Sequence, residues 1–178
     1  MPSNTAAWLS APKVKSLEVK SAPYTSPREN EIVIRNGAVA TNPIDWVKQD
    51  MGSMVFSWIK HPFITSTDVA GEVVEIGKGV TRFNVGDRVV GHTAGVNESR
   101  NNPAEGAFQL YTVLLAYMTT PIPSALSYER AAVMPLGRST AACGMFQKDQ
   151  LALQHPSVPP KPTGKTPIVW GGSHKCWQ

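Results

Sequence analysis

Cysteine is scarce in this 178-residue chain, with two residues, Cys143 and Cys176, far apart and lacking any metal-binding or redox spacing. Neither a disulfide framework nor a thiolate zinc centre organises such a chain, and two free thiols are expected. Charge is sparse as well, at 17% of residues and a formal net of +4. Lys and Arg are scattered, and no basic stripe interleaves with aromatic side chains. A surface built to track a phosphate backbone is thereby excluded, so no nucleic-acid partner is expected. Long apolar runs are missing too. The longest, 131–146, is broken by Pro135 and Arg138, so no membrane span is expected. The opening residues, Met1 to Thr5, carry neither a basic leader nor an apolar stretch of signal-peptide length, which makes the cytoplasm the expected location.

What is present fits one domain, or one domain and a fragment of another. A 42% hydrophobic content at this length is enough to bury a core, and 14 Gly with 15 Pro imply many turns between short elements. Residues 5–20 hold two apolar stretches separated by Pro12, a strand or hairpin. Glu31 to Arg35 alternates, with Ile32 and Ile34 on one face and charged residues on the other, the pattern of a half-buried strand. The stretches 68–77, 83–91 and 106–113 are further strands bounded by Gly-rich or polar turns. Short strands at this spacing, without long helices between them, predict a small β-barrel.

The pattern then changes. Ser127 is placed to cap a helix that has Glu129 in its first turn and is interrupted by Pro135. A second helical stretch holds Ala141, Ala142, Met145 and Phe146. Five prolines in 155–167 mark a surface connection. Pro167-Ile168-Val169-Trp170 then reads as an apolar strand running into Gly171-Gly172-Ser173. A parallel strand followed by a Gly-rich turn begins a dinucleotide-binding unit, although an ordinary edge strand explains the same residues equally well. A P-loop at Gly164-Lys165-Thr166 is excluded, because the glycine that motif requires is Pro159.

Five blocks together carry a resemblance. They are Thr41-Asn42-Pro43-Ile44-Asp45, then 67–77 from Thr67-Asp68 to Ile76-Gly77, then 85–91 with Gly86-Asp87-Arg88, then Gly106-Ala107-Phe108-Gln109, and last 131–142 with Pro135, Leu136, Ser139 and Thr140. In order and spacing over about residues 5–173, the chain resembles medium-chain dehydrogenases/reductases, and within them the zinc-independent quinone oxidoreductases and fungal trans-enoyl reductases. The resemblance implies a mainly β fold with short helices. A GroES-like β-barrel domain would span 5–130, connecting helices and a Pro-rich linker 131–166, and the first strand of an incomplete NADP-binding Rossmann fold 167–178.

The same resemblance implies site residues. Asn42, Pro43, Ile44 and Asp45 would lie along the nicotinamide end of NADPH, with Thr140 near it and Gly171, Gly172 and Ser173 opening the phosphate-binding turn. Leu136, Gly137, Arg138, Ser139, Thr140, Ala141, Ala142 and Cys143 would line the substrate cleft. Simpler readings coexist with these. Asn42-Pro43 also fits a plain turn, Ser139 and Thr140 fit helix-start residues, and Asp68 and Asp87 fit turn organisers. The four histidines, His61, His92, His155 and His174, are isolated and read as loop or surface residues. Ser66 stands where the relatives carry Gly.

Zinc is not expected. Where the metal-dependent members place a Cys and then a His-Glu pair, this chain has Asn42-Pro43-Ile44-Asp45 and Thr67-Asp68-Val69-Ala70, and the four-Cys lobe is missing. The implied chemistry is NADPH-dependent reduction of an activated carbon–carbon double bond in a small enoyl, enone or quinone substrate, with no proton donor assigned. Because the helix and strands that should follow Ser173 are absent from the chain, negligible NADPH affinity and no turnover are expected from these residues alone. The alternative is a non-catalytic partner-binding module that uses the face left bare on 131–146, by self-association or with another protein.

Overall fold

A computed structural model describes residues 2–166 and Ile168. The apolar strand and Gly-Gly turn expected at 167–173 therefore lie outside the described residues, Ile168 excepted. The chain divides into two compact units, Met1–Pro135 and Leu136–Gln178.

The first unit is built from eight strands. β1 (Asn4–Leu9), β2 (Glu18–Ala22) and β4 (Phe63–Ile64) form a three-stranded antiparallel sheet in the order β2-β1-β4. β3 (Glu31–Ala40), β5 (Asp68–Ile76), β6 (Arg88–His92), β7 (Tyr111–Leu115) and β8 (Thr119–Pro121) form a second, in the order β7-β3-β5-β6-β8. The sheets join where β1 meets 108–110, through an Ala6–Gln109 bridge and the bonds Ala7 N–H to Phe108 O and Leu110 N–H to Thr5 O. The main core gathers Ile32, Ile34, Val69, Val73, Val89 and Leu114 from β3, β5, β6 and β7, with Phe83 and Ala107 from the loops. Each fully buried Val, Leu or Ile contributes on the order of 2 kcal/mol.

Two strands differ from the alternating pattern for a stated reason. β3 buries Glu31, Ile32, Val33 and Ile34 in succession, because it is central and paired on both edges. Glu31 tolerates burial because Arg100 Nη2 binds it at 2.6 Å and the Arg28 N–H at 2.9 Å. β7 begins at Tyr111 rather than near Gly106. The residues before it are diverted by Gln109, whose buried amide Nε2 donates to the carbonyls of Pro103, Ala104 and Gly106.

Helices are few. α1 (Pro43–Met51) follows β3, and a 3-10 turn, Gly52–Met54, follows α1. α2 (Tyr128–Ala132) is capped as expected by Ser127, whose Oγ accepts from the Arg130 N–H. Its Ala131 and Ala132 pack on Ala70 and Val90 of the second sheet. Tyr128 is held by the Arg88 guanidinium, 4.6 Å from its ring centroid, while that guanidinium also donates to the Pro123, Ser124 and Leu126 carbonyls. α3 (Pro135–Phe146) begins at the proline that ends the preceding helical turn. Within the second unit, the Phe146 ring stacks on His155 at 4.9 Å.

Candidate functional site

A cluster of buried polar side chains, Asn42, Asp45, Lys48, Thr67 and Asp68, lies at one end of the five-stranded sheet, where β3 gives way to α1, β5 begins and β6 ends. Asn42 is the N-cap of α1, Pro43 supplies the first helical residue, and Asp45 stands at the third helical position. The Asp45 carboxylate accepts the Asn42 backbone N–H at 2.8 Å, so Asn42 and Asp45 stay locked together at the helix entry. The Asn42 amide nitrogen faces Thr67 and Asp68: Nδ2 donates to Asp68 Oδ2 at 2.9 Å and to Thr67 Oγ1 at 3.3 Å. Asn42 is 1% exposed and Asp68 fully buried, so the bond lies in a low dielectric, where it is stronger than in water.

Lys48 sits one turn further along α1, and no motif in the sequence marks it. Its side chain is 2% exposed. Lysine is almost never so deeply buried without a partner. Yet its Nζ has no hydrogen-bond partner among the described residues, and neither has Asp45 Oδ1. The Phe56 ring lies 5.4 Å from Nζ. Phe56 is itself backed edge-to-face by Trp58 at 5.6 Å, and the Trp58 indole N–H is fixed on Val96 O at 2.9 Å. Burial pushes the Lys48 amine down from the ordinary lysine value to about 8, against a smaller upward pull from the Asp45 charge. Burial likewise raises the Asp45 carboxyl, opposed by the Asn42 N–H and by Lys48.

His92 closes the cluster from β6 and is not an isolated surface residue. It is half-buried, is the cross-strand partner of Asp68, and is held below the usual imidazole value by burial first and the Lys48 charge second. Asp68 is not a turn organiser either, since it opens β5 and takes the Asn42 amide. Asp87 does organise a turn, accepting the Asn84 N–H at 2.8 Å. Ser66 adopts φ 76°, the left-handed region that favours glycine, and its carbonyl accepts the Thr93 hydroxyl at 2.9 Å.

Thus Asn42 and Asp45 are brought together, while Pro43 is exposed and Ile44 half-buried on the same turn. The expected cleft residues, Leu136 to Cys143, form one stretch of α3 in the second unit. There Gly137 is buried, Arg138, Thr140, Ala142 and Cys143 are exposed, and Leu136, Ser139 and Ala141 are half-buried. The Thr140 hydroxyl donates back to the Leu136 carbonyl at 2.9 Å. Gly171, Gly172 and Ser173 lie outside the described residues.

The inward-facing nitrogen of Asn42 is an amide N–H donor already given to a carboxylate, with no lone pair for a metal, and among the described residues no three His, Cys, Asp or Glu side chains converge.

This arrangement of helix entry, strand start and barrel is matched by a family model. Residues 28–124 match the alcohol dehydrogenase GroES-like domain. The chain belongs to that family, within the medium-chain dehydrogenases/reductases. It is 58% identical over 174 residues, 97% of this chain, to the dehydrogenase pigH of Monascus ruber. It is 43% identical over 170 residues, 96% of this chain, to the trans-enoyl reductase himH of Aspergillus japonicus. It spans 47% and 48% of those two relatives, about half the length of each. In fold, it matches Escherichia coli quinone oxidoreductase complexed with NADPH, with a TM-score of 0.61, 24% identity, and coverage of 84% of this chain and 41% of that one. The GroES-like assignment accounts for the barrel and places the Asn42 helix entry inside it.

Proposed function

We propose that this chain is the barrel half of an NADPH-dependent, zinc-independent reductase of activated carbon–carbon double bonds, in which Lys48 is the proton donor. The observation that carries this reading is the buried Lys48 amine without a hydrogen-bond partner, on the helix that Asn42 caps. The relatedness to a trans-enoyl reductase and the likeness in fold to an oxidoreductase holding NADPH support it. The chain spans 47% of the 58% identical relative, and in this reading turnover belongs to a form of that relative's length, with these residues as its substrate-side half.

Asn42, Asp45 and Thr140 would hold the nicotinamide end, and Gly171 to Ser173 would open the phosphate turn. When bound, NADPH supplies a hydride to the carbon β to the carbonyl. The negative charge that develops on the substrate oxygen is stabilised by the Lys48 ammonium, which is undiluted by any competing hydrogen bond. Lys48 Nζ then gives its proton to the α carbon. An amine near 8 is still protonated at neutral pH yet releases its proton readily, which suits a general acid. Asp45 acts on the amine by its charge while keeping one oxygen on the Asn42 N–H.

The test is a chimaera in which the remaining half of the 58% identical relative follows residue 166. It is expected to oxidise NADPH with an enone or enoyl thioester, to incorporate one solvent deuteron at the α carbon in D2O, and to be indifferent to a zinc chelator. Activity only with alcohols and added zinc would overturn the reading.

A further inference from the structure

A buried amine with no hydrogen bond still has to be kept in one place. Lys48 is 2% exposed, and its Nζ has no hydrogen-bond partner among the described residues. The contact it does make is aromatic. Nζ lies over the Phe56 ring, 5.4 Å from the centroid, within the range at which a ring quadrupole attracts an ammonium. The ring is itself braced. Trp58 packs on it edge-to-face, with centroids 5.6 Å apart and an angle of 84° between the planes. Trp58 is fastened twice, its indole N–H donating to Val96 O at 2.9 Å and its carbonyl accepting from Asn101 Nδ2 at 2.8 Å. The Phe56 carbonyl accepts the Ile59 N–H at 3.2 Å, and both rings pack on the buried cluster of Ile59, Phe63 and Val96. The bracket thus draws on 56–63 and on 96–101, two segments far apart in sequence.

We propose that Phe56 is the positioning residue that holds the Lys48 ammonium, its ring face standing in for a hydrogen bond. This rests on Lys48 as the proton donor. A hydrogen bond would commit one of the three ammonium N–H groups to a fixed acceptor. A ring face attracts the whole charge instead, and does so more strongly in a dry site than at the surface. The N–H groups are thereby left for the substrate oxygen on which negative charge develops. The ring also works against burial. Burial favours the neutral amine, whereas the ring face and the Asp45 charge favour the ammonium. The other titratable group that shares this field is His92, whose protonated form the Lys48 charge disfavours. A carboxylate in the place of Phe56 would hold the amine more tightly but would compete for its proton. A phenyl ring has no basic atom, so the proton stays on Nζ until the α carbon takes it.

The experiment uses the 178-residue chain with 13C- and 15N-labelled lysine and follows the Lys48 side chain by NMR. In the wild type, its ε-methylene protons are expected upfield of those of the other lysines, displaced by the Phe56 ring current, and its amine to titrate near 8. Phe56→Leu, apolar but without a π face, is expected to remove the displacement and to lower the midpoint by about one unit, a roughly tenfold loss of proton affinity. Phe56→Tyr keeps the face and is expected to keep both. Wild-type ε-methylene protons that fall with those of the other lysines would overturn the contact, a result that needs no variant to fold. An unchanged or raised midpoint in Phe56→Leu would overturn the holding role while leaving Lys48 as the donor. In the chimaera, the fall of kcat with pH is expected to move down with the amine in Phe56→Leu. A midpoint that moves while the kcat profile stays put would overturn Lys48 as the donor, and with it any part for Phe56 in the reaction.

Discussion

The Asn42 side-chain nitrogen stands 2.9 Å from Asp68 Oδ2, joining the first turn of α1 to the first residue of β5. One amide thereby links the barrel's end to the helix that carries Lys48. Asn42→Asp removes the donor and sets two carboxylates in near contact within a buried site. At pH 7 a loss of about 3 kcal/mol is expected in urea denaturation. The loss should shrink as pH falls and one of the pair takes up a proton.

Lys48 makes stability depend on alkaline pH. Its folded value, about 8, lies below the unfolded value of 10.5, so between these limits the unfolded chain holds more protons. Stability therefore rises with pH across that window, by roughly 3 kcal/mol for a shift of this size. Comparison of urea midpoints at pH 7.5 and 10 for wild type and Lys48→Met isolates the effect. The difference between the two proteins should narrow as pH rises, with Lys48→Met the more stable at the lower pH.

Arg100 binds two buried carboxylates, Glu31 Oε1 at 2.6 Å and Glu105 Oε1 at 2.5 Å. Its removal leaves both without their cation, and Arg100→Met is expected to cost about 4 kcal/mol at neutral pH. Glu105→Gln added to that variant should recover part of the loss, because one of the stranded charges is gone.

Ser66 pays for its φ of 76° in backbone strain. Ser66→Gly is expected to raise stability by about 0.5 kcal/mol, the relief of strain exceeding the entropy gained by the unfolded chain. Thermal unfolding would show a rise of a few degrees; a fall would mean that the Ser66 hydroxyl, 3.4 Å from the Ala40 carbonyl, contributes more than the strain costs.

Much of the barrel was legible because strand alternation and turn residues are local signals. Ile32 and Ile34 sit in the core that their alternation implied, and β5 and β6 fall within the strands expected at 68–77 and 83–91. The Ser127 cap and the break at Pro135 were equally plain. α1 was not foreseen, although Asn42, Pro43 and Asp45 are an N-cap, a first-turn proline and a carboxylate at the third position. The same residues that resemble a family site segment also spell a helix start, and the two signals coincide at one place. Lys48 was illegible for a different reason. A lysine in a polar helix reads as solvated, and only the folded chain, which buries it and sets the Phe56 ring 5.4 Å from its amine, makes it a buried base. His92 became meaningful only through the β5–β6 register that sets it opposite Asp68.

The most direct test of the account is the pH dependence of kcat in the chimaera, measured with NADPH and an enone for wild type and Lys48→Met. Lys48 as proton donor predicts a wild-type rate that falls as pH rises through about 8. It also predicts a Lys48→Met rate lower by about 100-fold or more and without that fall. Identical profiles for the two proteins would contradict it.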